Sequence, residues 1–487
     1  MIIRSVSLPI LISSVVLGLA AGVEPKVKPT RAGGPLPEQP EDSTDPSPVA
    51  KPPKDAEKRF EWNKNTSLGD YERAGERNAK WDEPVKKALE MFARVRSYGL
   101  TAVPDSVKTI GGLCEDAIKA GCDDPLIKYV HMRYTAGAPT RATKEAASAY
   151  GAIAARMQKT QYSAIRKFYA NLRAAEASKA AAGKNSPTPP EVHSYRASAL
   201  AYLKEALQDK TMPVSEVYEG CRDLLEATRL NKPSHEHMFK ELEPRLLANW
   251  PQEASIHLLR GDYYIRYAWN ARGDGWADTA TEEGWKLFGQ RLDMAEDALE
   301  RAWKLDPTDA RIPVKMINLE LGQGEGRDRM ELWFQRAMEL DPNNYSACWQ
   351  KAYYLEPKWY GSPEELLKFG RECVASSKWG GRVPLVLVDA HTRLVRYVPD
   401  GKQKEYWKRP EVWKDLKAGF DKYFQLCPDA NGTRQRCALY AYRCEQWEEL
   451  NKQLSLLKSV DYDYFGGKEK FEEMKRLAKD HSGKSQN

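Results

Sequence analysis

Residues 298–363 read ALERAWKLDPTDARIPVKMINLELGQGEGRDRMELWFQRAMELDPNNYSACWQKAYYLEPKWYGSP, and within them RAWKLDP returns as RAMELDP one helical hairpin later. A third helix closes in a related way, with Tyr423-Phe424-Gln425-Leu426-Cys427-Pro428. Each part of this ending has a physical task. A small Ala302 or Ala337 lets the helix approach its neighbour, and Leu305 or Leu340 is expected to plug the hairpin. Proline stops the helix, and Asp309, Asn344 or Asn431 is placed to cap the next one. The pattern predicts helical hairpins stacked side by side: an all-α fold, in the form of an irregular α-solenoid.

Upstream of this stretch the apolar residues keep helical spacing. Trp81, Val85, Ala88, Leu89, Phe92 and Val95 follow a start at Asp82-Glu83-Pro84, with Asp82 as the expected cap. Val107, Ile110, Leu113, Ala117 and Ile118 continue the pattern, and Asp123-Asp124-Pro125 opens another helix. Longer helices are expected over 142–157 and 162–182, then over 190–208, 213–230 and 233–248. Residues 383–388 are the one β-looking run, but Pro384 and the helical continuation favour a helix.

The chain divides by composition. Residues 1–22 carry Arg4, an apolar run and terminal small residues, the layout of a signal peptide cut near Ala20 or Gly22. The run is short and serine-broken for a bilayer span. Residues 23–58 form a proline-rich linker with little apolar surface to fold on. An N-terminal helical region (59–182), a break at GKNSPTPP (183–190), helical hairpins (191–250), the repeat region (251–460) and a C-terminal helix and tail (461–487) follow. The expected location is the periplasm or cell envelope, with membrane contact only through the N-terminal segment if it is retained. Lys and Arg number 75 against 69 Asp and Glu, leaving +6 spread over 487 residues, which argues against a nucleic-acid partner. Eight cysteines are too few to build a scaffold from disulfides.

The repeat endings resemble the tetratricopeptide repeat, whose second helix carries a small residue and ends at proline. Ala295, Leu299 and Ala302, then Phe334 and Ala337, sit at that family's spacing, and Gly261 and Tyr264 match its first-helix Gly and Tyr. The resemblance covers about residues 254–457 and has departures. Extra length, WNARGDGWADTATEEGWKLFGQRLDM, separates Tyr264 from Ala295. Trp349 and Ala352 are shifted by one position. Leu366, Phe369 and Cys373 fill a second helix that lacks the Leu-Asp-Pro ending. The segments AWNARGDGWADTATEEGWKLFGQRL, CWQKAYYLEPKWYGS, LLKFGREC and VPLVLVDAH look like a family of exported bacterial proteins with tetratricopeptide-like helices. That likeness implies fold and export and brings no activity with it.

No catalytic residue is assigned. The sequence lacks GxSxG, HExxH, paired CxxC, Walker A and strand-bound GxGxxG motifs. His235-Glu236-His237 places its imidazoles about 200° apart around a helix, so it reads as a polar first turn and no metal is expected. No cofactor is implied. The loop Arg272-Gly273-Asp274-Gly275-Trp276-Ala277-Asp278 offers Asp274 and Trp276 as ligand contacts, although its spacing is not that of an EF-hand. Its plainer reading is a turn that folds back the inserted hairpin, with Trp276 as plug.

The aromatic residues are the better hint. Most are expected between helices, and the surplus, interleaved with Lys358, Arg371, Arg393 and Arg396, would line a concave groove. The candidate binding residues are Tyr264, Trp269, Asp274, Trp276, Trp349, Tyr353, Trp359, Tyr360, Arg371 and Arg393. Cys348 with Cys373 and Cys427 with Cys437 are candidate disulfides, with buried free thiols as the alternative. The leading expectation is a non-enzymatic scaffold that binds a protein or peptide partner. A helical enzyme acting on a glycan or peptide would instead place two acids across a deep aromatic pocket, and a structural envelope component would have no organised pocket.

Overall fold

A computed structural model describes residues 52–482, except 101, 102, 104, 184, 185 and 274. The signal peptide and most of the proline-rich linker expected above lie outside the described residues. Within them the chain is helix after helix. The N-terminal half comprises α1 (Ala56–Lys64), α2 (Asp70–Ala74), α3 (Asp82–Tyr98), α4 (Ser106–Lys119), α5 (Pro125–Thr135), α6 (Lys144–Gln158), α7 (Ala164–Ala182), α8 (Pro190–Ala206), α9 (Val214–Thr228) and α10 (Lys232–Asn249). The array continues with α11 (Ala254–Arg272), α12 (Glu282–Leu305), α13 (Arg311–Gln323), α14 (Arg327–Leu340), α15 (Tyr345–Tyr354) and α16 (Pro363–Ala375). It ends with α17 (Val386–Leu394), α18 (Gln403–Trp407), α19 (Pro410–Leu426), α20 (Asn431–Arg443), α21 (Trp447–Ser455) and α22 (Lys468–Ser482). The Val383–Leu385 segment is a 3₁₀ turn that runs into α17, as Pro384 leads one to expect.

Helices adjacent in sequence pack together, and the first helices of successive hairpins also touch, α11 on α13, α13 on α15 and α15 on α17. The result is the two-layer, sequentially stacked body of an α-solenoid. One buried cluster runs from Tyr71 to Cys444, and a smaller one joins α20, α21 and α22 through Leu450, Phe465, Phe471 and Met474.

The three repeat endings adopt one backbone shape. Asp306 (φ −145°, ψ 86°), Asp341 (φ −143°, ψ 98°) and Cys427 (φ −136°, ψ 75°) are extended, as a residue before proline must be. Each donates its N–H four residues back, to Ala302 at 2.9 Å, Ala337 at 3.0 Å and Tyr423 at 2.8 Å. Asp306 and Asp341 add a side-chain bond to the N–H two residues on, of Thr308 at 3.1 Å and Asn343 at 3.0 Å, which Cys427 does not supply.

The leucines differ from expectation. Leu305 and Leu340 are only half-buried and Leu426 is exposed, because the last turn points them away from the partner helix. The closure comes instead from fully buried Ala302, Ala337 and Tyr423. Asn344 caps α15 through the N–H of Ala347 (3.0 Å). Asp309 holds the N–H of Arg311 (3.0 Å) without capping a turn, and Asn431 lies inside α20 and reaches the carbonyl of Ser459 (3.0 Å). Asp82 opens α3 as a helical residue and accepts from the Tyr71 hydroxyl (2.7 Å) and the N–H of Asn78 (3.0 Å).

The extra length after Tyr264 is not an interruption. It lengthens both arms of one hairpin, with α11 at 19 residues and α12 at 24.

The N-terminal helices are locked to the array by buried charge. Glu216, on α9, is fully buried and accepts from Arg59 Nε (2.7 Å), Arg96 Nη2 (2.6 Å), Tyr169 Oη (2.8 Å) and Asn63 Nδ2 (3.2 Å). Those partners come from α1, α3 and α7. Burial pushes the Glu216 carboxyl up, but the guanidinium groups of Arg96, Arg59 and Arg166 outweigh it and hold it below the usual carboxylate range. A depressed native pKa contributes stability above the unfolded value of about 4.3, and that stability is lost as pH falls below it toward the native value. Removing one partner of a buried pair costs about 3–5 kcal/mol. Glu216→Gln should therefore unfold at lower denaturant at pH 7. Its stability should also fall less steeply than that of the native chain when denaturant titrations are repeated from about pH 5 downward. Equal midpoints at pH 7 would contradict this account.

Candidate functional site

Several sequence-selected residues meet, but in the core. Trp269 of α11 stands edge-on to Trp359 at 5.6 Å, Trp359 touches Tyr353 at 5.7 Å, and Tyr353 lies parallel to Trp349 at 6.2 Å. Arg393 of α17 covers this row, 4.2 Å from the Trp349 ring centroid and 5.3 Å from that of Tyr353. Its guanidinium pairs with Glu356, which also accepts from the Tyr397 hydroxyl (2.8 Å). Trp269, Trp349, Tyr353, Trp359 and Arg393 are all buried. The row therefore joins α11, α15 and α17 and does not line an open groove. The four rings pack against one another between these helices.

The remaining candidates are scattered. Tyr264 is buried and donates to Glu243 (2.8 Å), and its ring packs edge-on to Phe239. Tyr360 donates to the carbonyl of Leu321 (3.2 Å) and stacks on Tyr354 at 4.6 Å. Asp274 lies outside the described residues. Trp276 is 59% exposed and plugs nothing. Arg272 takes that task, bonding the carbonyls of Gly273 (3.2 Å) and Gly275 (3.1 Å) while its guanidinium sits 5.2 Å from Trp269 and 5.3 Å from Trp285. His235 is no polar first turn. It is buried, its Nδ1 lies 2.9 Å from the carbonyl of Leu225, and its ring stacks on Tyr263.

All eight cysteines are free thiols, so neither expected disulfide is formed. Cys348 and Cys373 are side by side and fully buried, and burial pushes the Cys373 thiol far up.

Arg371 joins a network that sequence reading missed. Its Nη2 donates to Asp415 at 2.7 Å, Asp415 lies 3.2 Å from His391 Nε2, and His391 Nδ1 lies 2.8 Å from the Tyr406 hydroxyl. Both ring nitrogens of His391 are occupied and the ring is buried, so the chain of bonds fixes α17, α18 and α19 against one another.

An open site lies elsewhere, along α14. A groove of about 670 Å³ is lined by Asp328, Glu331, Leu332, Gln335 and Glu339 on one wall and by Lys378 and Trp379 on the other. Phe334 and Met338 form its floor, and Trp379 meets Phe334 edge-on at 5.8 Å. Trp379 belongs to the segment that departs from the repeat between α16 and α17. Leu332 is 45% exposed. The signal was present in the sequence: Leu332 stands off the stripe of Met330, Phe334 and Ala337 that faces the core, yet it is apolar. Among the described residues no group of three or more His, Cys, Asp or Glu is placed to hold a metal.

No protein-family model matches the chain, and no curated protein matches it. Among solved structures, it is similar to a human IFIT1 dimer with m7Gppp-AAAA, at 13% identity and a TM-score of 0.37, over 81% of this chain and 72% of the other. A second human IFIT1 dimer, with PPP-AAAA, is similar at 12% identity and a TM-score of 0.36, over 82% and 76%. Similarity at that level carries no argument about what this chain binds.

The burial of the aromatic row has a measurable consequence. Trp359→Ala should cost about 3–5 kcal/mol in chemical denaturation. Trp276→Ala should stay within about 0.5 kcal/mol of the native chain. A harmless Trp359→Ala would mean that the ring does not serve the core.

Proposed function

We propose that the chain is an exported, non-catalytic helical scaffold that binds a protein or peptide partner in the groove along α14. The observation that carries the reading is the exposed Leu332 in an open groove that Trp379 also lines, with the buried Phe334 and Met338 beneath. An apolar patch rimmed by charge is the usual form of a surface for another chain. The non-catalytic part is supported by how the carboxylates are used. Glu216 and Glu219 share Arg59 and Arg96, and Glu296 and Glu320 share Arg329. Paired in this way across guanidinium groups, these carboxylates serve as structural ion-pair partners.

Two experiments test the reading. Random peptides displayed on phage and selected on the folded full chain should yield binders that a Leu332→Asp, Trp379→Ala variant no longer retains. A selection that returns only binders indifferent to those changes counts against the groove. Export is supported by the layout of residues 1–22 alone. Intact mass and N-terminal sequencing of the chain recovered from an exporting host should find cleavage near Ala20 or Gly22. Retention of Met1 would remove the export part of the proposal.

A further inference from the structure

We infer that the α14 groove takes a short extended segment of a partner protein in which two basic side chains flank a large apolar one. This rests on the groove being the binding site proposed above. The charge pattern of the lining leads to it. Asp328, Glu331, Leu332, Gln335 and Glu339 form one continuous stripe on α14, at the three- and four-residue spacing that puts side chains on one helix face.

The acids of the stripe are not equivalent. Glu331 is already engaged, with Lys351 Nζ at 2.6 Å and Arg327 Nε at 3.6 Å. Asp328 and Glu339, at the two ends, form no ion pair among the described residues, and Glu339 accepts only from Gln335 (2.8 Å). Two unneutralised carboxylates therefore bracket the exposed Leu332.

Their separation sets the length of the ligand. Eleven residues along a helix span about 16 Å. An extended chain covers that distance in about five residues. Basic residues four positions apart stay on one face of an extended chain; with the reach of their long side chains each would meet one carboxylate, and an apolar side chain midway between them, on that same face, would enter the groove beside Leu332. Lys378, the one cation of the lining, stands on the opposite wall beside Trp379. Its charge disfavours a basic side chain beside it. An acidic segment would meet repulsion from both ends of the stripe.

The test uses the full chain and three fluorescein-labelled peptides followed by fluorescence anisotropy. One is GKSFSKG, the second replaces both lysines with glutamate, and the third replaces phenylalanine with serine. The lysine peptide should bind about tenfold more tightly than either of the others and should weaken at about 0.5 M salt. Asp328→Lys with Glu339→Lys should reverse the order of the first two peptides. These positions are on the surface, and circular dichroism of each variant checks that it folds.

If the glutamate peptide binds as well as the lysine peptide, and Leu332→Asp abolishes both, the inferred chemistry falls while the groove remains a binding site. If no peptide binds in a way that Leu332→Asp alters, the inference is overturned, and the phage selection decides separately whether the groove binds anything. Light scattering supplies the remaining outcome. Dimerisation of the native chain that Leu332→Asp removes would make a second copy the occupant and overturn the inference.

Discussion

Leu299 occupies the space that a side chain on Gly261 would need. A Cβ built onto that glycine would stand 2.5 Å from both Leu299 Cγ and Cδ2. The α11–α12 hairpin closes only because one of its arms presents bare backbone at the crossing. The same condition holds further along, where a Cβ on Gly370 would meet the Cα of Leu387 at 2.9 Å and so bind α16 to α17. A two-layer stack has little depth, and it reaches a continuous core by drawing the crossings this close. The wider spaces away from the crossings then need large fillers. The row of Trp269, Trp359, Tyr353 and Trp349 meets that need, which accounts for aromatic residues beyond what an ordinary helical pair requires.

Charge follows the same economy of position. The chain is rich in both signs, and a good part of that charge lies between helices. Asp389 takes Arg436 Nη2 and the Tyr345 hydroxyl, each at 2.6 Å, and so ties α17 to α15 and α20. Glu356 with Arg393, and Asp415 with Arg371 and His391, do similar work across neighbouring hairpins. Such pairs are weak sources of net stability but strict about geometry, since a displaced helix would leave a buried charge alone. The near-neutral balance of the composition is thus partly a balance of fixed partners inside the body.

The periodicity of apolar residues made the helices legible, and the proline endings made the stacking legible, because both are local properties of the backbone. Asn344 was readable as a cap, and the helix start at Asp123-Asp124-Pro125 was readable too, for the same reason. What lay beyond reach was the direction each side chain takes relative to helices distant in sequence. Trp349 and Tyr353 look alike as core or as groove until α17 brings Arg393 over them. Arg272 took the plugging task expected of Trp276, since the plug is decided by whether the loop's free carbonyls find a donor. The groove was half visible. Leu332 broke the pattern of α14, but its opposite wall comes from Lys378 and Trp379, more than a helix away, and no spacing rule connects them.

Lys54 lies near the start of the described chain and touches Asp306 at 2.7 Å and Thr308 at 2.8 Å, in the turn between α12 and α13. Asp55 meanwhile holds the N–H of Ser215 on α9 (3.0 Å). The first described residues therefore lie against the middle of the array. Tension applied at Lys54 and Asp55 would load the array broadside, as a yoke loads a beam, and divide between the two halves. Hairpins would not be peeled away one at a time from an end, and a partner held on α14, one hairpin from the point of attachment, would sit close to the pivot.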